Sequence, residues 1–183
     1  MRINVVGASG AGTTTLALAL ADVLPTVAFD ADAYYWEPSD PPFVRKVKPE
    51  VRQSKLWADV HAVRDAVVSG SMLSWGAGWL EAFDLVVFLH IPAEIRMERL
   101  AHRERERYGA RLDSDPHLAR QSADFLEWAR QYDDPSFDGK SITRHEQWMA
   151  AVGCPVLRIE GDTSVEDRVA RVRAAPATQE RPL

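Results

Sequence analysis

Three short stretches of this sequence carry residues whose types and spacing suit chemistry on a phosphate. The first is Gly7-Ala8-Ser9-Gly10-Ala11-Gly12-Thr13-Thr14, which follows the apolar run Ile3 to Val6 directly and opens a helical pattern. Glycines there let the backbone turn tightly and aim N–H groups inward, while the helix N-terminus adds partial positive charge, so an anion is held without any side chain. Gly7, Ala8, Ser9, Gly10, Ala11, Gly12, Thr13, Thr14 and Thr15 are therefore the expected nucleotide-binding segment. Thr14 stands where a hydroxyl would bind Mg²⁺. Thr13 departs from the usual pattern, because it occupies the place of the lysine that reaches the β- and γ-phosphates. Either a cation from elsewhere replaces that charge, or the loop binds nucleotide and does little chemistry.

The second stretch runs from Pro92 to Gly109, where Arg96, Arg99, Arg103 and Arg107 are spaced three, four and four apart and so share one face of a helix. Arginine suits a transferring phosphate, since its planar fork donates two hydrogen bonds and stays charged. The third is Phe29-Asp30-Ala31-Asp32 with Tyr34, Tyr35 and Trp36 behind it. A carboxylate at a strand end orients an attacking hydroxyl, accepts its proton or holds a metal through water, and Asp32 is the favoured group. Tyr34, Tyr35, Trp36, Phe43, Trp75 and Trp79 gather on that side and either stack on a planar substrate or close the core.

These stretches need elements to position them. Apolar runs at Ile3 to Val6, Thr26 to Phe29, Met72 to Trp75, Leu85 to Leu89 and Val156 to Ile159 read as buried parallel strands. Helical patterns lie between them: Thr14 to Leu24, Glu50 to Val68, Ala93 to Tyr108, His117 to Tyr132 and Thr143 to Val152, with Val165 to Val172 closing the domain. Strands alternating with helices predict an α/β fold, a five-stranded parallel sheet with helices on both faces. Pro38, Pro41, Pro42 and Pro49 make the stretch from Glu37 to Lys48 a loop. One domain over residues 1–174 is expected, with 175–183 as a flexible tail.

The composition sets limits. The sequence has 183 residues, 46% hydrophobic and 27% charged, as in an ordinary globular domain, and no apolar run nears the roughly 20 residues that span a bilayer. Without a secretory pattern at its start, the chain is expected in the cytoplasm. Its formal net charge of −5 speaks against broad nucleic-acid binding, so no nucleic acid and no membrane are expected as partners. The one cysteine, Cys154, beside Pro155 and Val156, reads as packing.

The Arg99-Leu100 and Arg103 spacing after a strand ending in Pro92 resembles the adenylate kinase-like nucleoside and small-molecule kinases. That resemblance implies a three-layer P-loop NTPase fold, with Arg99 over the adenine, Arg103 on phosphate, and ATP with Mg²⁺ as co-substrate. It also implies a helical lid over residues 104–145, with Arg111, Arg130 and Arg144 as further cations on that side. The Asp-x-Asp is similar to that of shikimate kinase and related small-molecule kinases, and implies Asp32 at the acceptor. Arg45, Lys46 and Arg52 lie where such an acceptor region would meet a substrate phosphate. The implied function is phosphoryl transfer from ATP to a small-molecule acceptor, with Asp32 and Arg103 as catalytic residues. For this to work Arg103, Arg107, Lys46 or a lid arginine must supply the charge that Thr13 lacks. The alternatives are a nucleotide-binding module without catalysis, or a weak nucleotide hydrolase.

Overall fold

In the computed structural model, which describes residues 1–179, the apolar runs form one all-parallel sheet. Its strands are β1 (Arg2–Gly7), β2 (Val27–Asp30), β3 (Ala66–Ser69), β4 (Leu85–His90) and β5 (Val156–Glu160), in the spatial order β2-β3-β1-β4-β5. Alternate side chains of each strand enter different cores, as a pleat requires. Val67 and Val87 pack with α1 (Thr13–Val23) and α8 (Val165–Ala174) around Leu16, Leu20 and Val172. Ala66 and Val68 face the other way, onto Leu56 and Val60 of α3 (Pro49–Ala62) and onto Trp75 and Trp79. Val86 and Phe88 pack on Met149 of α7 (Ile142–Ala151). Helices thus cover both faces.

The remaining helices are α2 (Ala31–Tyr35), α4 (Ala93–Tyr108), α5 (Arg111–Ser114), α6 (Pro116–Arg130) and α9 (Pro176–Gln179). Proline at the start of α3 and α6 suits a first turn whose N–H groups have no partner within the helix. Asp115 caps α6 by accepting from the amides of His117 and Leu118. Among the described residues no helix is long and apolar enough to cross a membrane.

Three expectations are corrected. The third strand is Ala66–Ser69, not Met72 to Trp75, and the helix expected through Val68 stops at Ala62. Leu56, Val60, Val63 and Val67 keep helical spacing across that break, which hides it. The paired valines of β3 are stiff, β-branched residues that lie parallel to β1, with Ile3 opposite Val67. Met72 to Trp75 instead form a turn, in which the amide of Trp75 donates to the carbonyl of Met72 at 3.1 Å. At the other end, residues 175–179 are packed rather than frayed. Ala175 is buried, and Thr178 Oγ1 donates to the carbonyl of Val172 at 2.8 Å. The rest of the expected tail, residues 180–183, lies outside the described residues.

The proline-rich stretch is a loop, as expected. Its base is pinned by the amide of Glu37 on the carbonyl of Arg45 and the amide of Val47 on that of Tyr35, both at 2.9 Å. Its tip reaches across to the helices after β4: Arg111 donates to Asp40 at 2.7 Å and the Arg107 guanidinium lies 4.7 Å from the centre of the Phe43 ring.

Candidate functional site

The chain changes sides of the sheet at β1, whose neighbours are β3 and β4, and a crevice opens beyond the carboxyl ends of such strands. Here it is a cleft of about 1310 Å³. The expected phosphate loop forms one wall, with Ala8, Ser9, Gly10, Gly12, Thr13, Thr14 and Thr15 facing the cleft. Gly7 and Ala11 shape it from behind. A Cβ on Gly7 would lie 2.6 Å from the carbonyl oxygen of Leu89, and Ala11 is buried in the core. Gly10 has φ of +82° and passes so close to α4 that a Cβ would sit 2.7 Å from the carbonyl oxygen of Arg96. Gly12, at φ 88°, is the N-cap of α1 and offers its amides no side-chain cap. The first amides of an eleven-residue helix therefore face the cleft without a side-chain acceptor.

Arg168 of α8 braces this loop. It is buried, and donates to the carbonyl of Ala11 at 3.2 Å, to Thr163 Oγ1 at 3.2 Å and to Asp162 Oδ1 at 3.1 Å. The same Asp162 oxygen accepts from Arg99 at 2.6 Å.

On the acceptor side Asp30 and Asp32 divide their work. Asp30 Oδ1 accepts the amide of Asp32 at 3.0 Å, capping α2, and its Oδ2 accepts from Thr14 Oγ1 at 3.4 Å. Burial raises the pKa of Asp30, partly offset by the Asp32 amide. Asp32 is exposed to the cleft. Thr14 and Asp30 are thus adjacent hard oxygen donors on the phosphate-loop side. Among the described residues no group of three or more histidine, cysteine, aspartate or glutamate side chains is assembled for a metal. Two oxygen donors suit Mg²⁺, which keeps several waters and takes its remaining ligands from phosphates.

The arginines of α4 part company. Arg99, Arg103 and Arg107 line the cleft, whereas Arg96 is buried, donating to the carbonyl of Ile91 at 2.9 Å and pairing with Asp133. Helical side chains lean toward the N-terminus, and Arg96, in the first turn, has no earlier turn beneath it, so it runs down to the end of β4. Arg107 pairs with Glu104 at 2.8 Å. Arg103 faces the two aspartates, while partial desolvation and then Arg107 lower its pKa.

Tyr35, Trp36, Phe43, Trp75 and Lys46 line the far wall. Trp79 is buried and stacked on Phe83, so of the two tryptophans after β3 only Trp75 reaches the cleft. Tyr34 turns away to Asp59, 2.8 Å from its hydroxyl, and burial pushes its pKa up to about 12. Arg45 pairs with Glu37, and Arg52 is buried, donating to Ser74 and lying 3.9 Å from the centre of the Tyr35 ring. Neither lines the cleft. Arg130 pairs with Glu127 on the surface. Cys154 is half-buried against two cores, and burial pushes its thiol up to about 11, in keeping with packing.

Not expected from the sequence were the pairing of Asp30 with Thr14 and, in the cleft lining, Arg168 and Lys140, the last from the loop before α7. Nothing in the spacing of the latter two marks them. Arg168 lies well inside a helix far along the chain, and Lys140 is a lone lysine, although Ser141 beside it is a recognisable helix cap.

The sheet order, with the glycine loop at its switch point, defines a P-loop kinase-like fold. Solved structures share it across nearly the whole chain. Shikimate kinase from Bacteroides thetaiotaomicron superposes with a TM-score of 0.55 at 18% identity, covering 94% of this chain and 96% of that one. Shikimate kinase from Acinetobacter baumannii, solved with shikimate, gives 0.52 at 17%, covering 93% and 89%. Deoxyadenosine kinase from M. mycoides gives 0.52 at 13%, covering 94% and 96%. No family model matches the sequence. The uncharacterized protein YqaC of Bacillus subtilis (strain 168) is 44% identical over 170 residues, 93% of this chain and 94% of that protein. The chain belongs to the same family as YqaC.

Proposed function

We propose that the chain is a kinase that transfers the terminal phosphoryl group of ATP to a hydroxyl of a small-molecule acceptor. What supports this reading is one cleft in which the uncapped phosphate loop, the Thr14–Asp30 oxygen pair, Arg103 and the exposed carboxylate of Asp32 converge. The neighbours' likeness in fold agrees with it, since they are named as kinases of shikimate and of deoxyadenosine.

In this reading Gly7 to Thr15 hold the donor phosphates on backbone amides, and Arg99 covers the base. Thr14 and Asp30 would hold Mg²⁺, which when bound draws charge from the phosphates. Asp32 orients the acceptor hydroxyl and takes its proton as the oxygen bonds to the terminal phosphorus. The bond from that phosphorus to the bridging oxygen breaks, and the nucleoside diphosphate leaves with the electron pair. Arg103 balances charge on the transferring group. Residues 104–145 act as the lid, closing against the loop that carries Asp40 and Phe43.

Thr13 favours a second reading, in which the loop binds nucleotide without catalysis. Titration of tryptophan fluorescence with Mg·ATP, followed by assay of ADP release over a panel of hydroxylated acceptors, separates the two. Acceptor-dependent ADP release supports the kinase, and Asp32→Asn is then expected to cut kcat about 100-fold or more with little change in nucleotide binding. Binding without turnover across the panel favours the second reading. No binding of any nucleotide sinks both.

A further inference from the structure

The charge that Thr13 lacks has to come from a side chain that reaches the donor phosphates and is not committed elsewhere. Arg103, whose guanidinium lies 6.0 Å from the centre of the Phe125 ring, is already placed on the transferring group, and most other cations around the cleft are committed. Arg99 and Arg168 share Asp162, Arg107 pairs with Glu104, and Arg144 donates to the carbonyls of Asp138 and Gly139. Lys46 lies against the rings of Tyr35 and Trp36 on the aromatic wall. Lys140 lines the same cleft as Gly12, Thr13 and Thr14, with neither a hydrogen bond nor an ion pair among the described residues.

Lys140 is also held in place. It sits between Gly139, whose carbonyl accepts from Arg144, and Ser141, which caps α7 by accepting the amide of Arg144 at 3.4 Å. One turn on, buried His145 is clasped between Tyr132, whose hydroxyl is 2.7 Å from Nδ1, and Ser71, whose Oγ is 2.9 Å from Nε2. The loop that presents Lys140 therefore rests on the last part of the proposed lid, which His145 ties to Ser71 just past the end of β3. A corner of that kind aims a flexible side chain at low entropic cost.

We infer that Lys140 stands in for the missing phosphate-loop lysine, bringing its ammonium from the α7 corner to the terminal phosphate of the bound nucleotide. The inference rests on the kinase or nucleotide-binding reading of the same cleft. Its surroundings agree: burial of the ammonium lowers the pKa of Lys140, Asp32 partly offsets this, and the positive charges of Arg96 and Arg103 add to the lowering. An anion arriving between Lys140 and Arg103 relieves that repulsion and desolvation together. The ammonium keeps its proton and forms no covalent bond.

The test compares wild type, Lys140→Met, Lys140→Arg and the surface control Arg120→Gln for binding of Mg·ATP, Mg·ADP and AMP, with thermal unfolding alongside. Lys140→Met is expected to weaken Mg·ATP about 10- to 100-fold while AMP binding and melting temperature stay as in wild type. Lys140→Arg and Arg120→Gln should stay near wild type. In the Lys140→Met background, Thr13→Lys should recover Mg·ATP affinity, because it returns the charge from the loop side. If wild type binds Mg·ATP and Lys140→Met binds it equally well, or loses ATP and AMP alike, the inference falls and the nucleotide reading stands. If wild type binds no nucleotide, both fall.

Discussion

Acidification probes the support beneath Lys140, because His145 is buried with both ring nitrogens engaged, by Tyr132 and Ser71. Protonating it would bury a cation beside Lys140 and Arg144 and strip one neighbour of its donor role. Burial, then Lys140, then Arg144 hold its pKa down at about 3, from an ordinary value of 6.5. In the unfolded chain the same ring takes a proton near its ordinary value. Between those two values the unfolded state binds more protons than the folded one, so stability rises with pH, by about 1.4 kcal/mol per pH unit at most. The contribution is complete above about 6.5 and is lost progressively as the pH falls toward about 3. Integrated from about pH 7.5 to about pH 5, it amounts to roughly 2 kcal/mol. Ordinary carboxylates titrate mostly below this window. Urea unfolding of wild type and His145→Asn at the two pH values measures it. The variant carries a constant penalty for its altered hydrogen bonds, but its loss on acidification should be smaller than that of wild type by about 2 kcal/mol. Equal losses for the two proteins would refute the reasoning, since the ring would then be free to charge in the folded state.

Two further substitutions bear on the phosphate loop. Gly10→Ala would force a Cβ to within 2.7 Å of the Arg96 carbonyl oxygen at φ of +82°, a clash with backbone that cannot swing aside. It should cost about 1–3 kcal/mol in chemical unfolding and abolish the proposed binding of Mg·ATP. Arg168→Met removes a buried cation from Ala11, Thr163 and Asp162. It should lower stability by about 2–3 kcal/mol, read as a fall of roughly 5–10 °C in melting temperature, with weaker nucleotide binding on top.

How much of this was legible depended on how local each signal is. The phosphate loop is legible because Gly7, Gly10 and Gly12 answer to geometry within one turn of chain: a carbonyl behind, a helix beside, a left-handed cap. The bounds of α4 are legible because an apolar strand precedes it and Gly109 ends it, and its observed range, Ala93–Tyr108, is the expected one. β3 is not, because Val63 and Val67 continue the apolar stripe of α3, and what ends the helix is the pairing of Ala66–Ser69 with β1 and β2. In the site, Asp30 and Asp32 announce themselves by their place at a strand end, but their division of labour depends on Thr14, sixteen residues away. Arg168 and Lys140 carry no local mark, since each matters through what the fold brings beside it. The even spacing that unites Arg96 with Arg103 and Arg107 misleads for the same reason: a helical face is not one environment from end to end.

Asp162 gives the site a property that its separate residues lack. One of its oxygens accepts from Arg99 at 2.6 Å and from Arg168 at 3.1 Å, and Arg168 in turn holds the carbonyl of Ala11. The residue proposed to cover the base is therefore joined, through one carboxylate and one guanidinium, to the back of the loop proposed to hold the phosphates. Loss of Arg99 would leave Asp162 to Arg168 alone, and loss of Asp162 would leave Arg168 a buried cation held only by a hydroxyl and a carbonyl. A drop in nucleotide affinity on replacing Arg99 would then mix base contact with a shift of the loop. Asp162→Asn separates them, because it leaves Arg99 free to lie on the base while weakening the brace. If base contact dominates, the Asp162 variant keeps close to wild-type affinity as well as its preference among nucleobases. If the brace dominates, affinity falls for every nucleoside triphosphate alike.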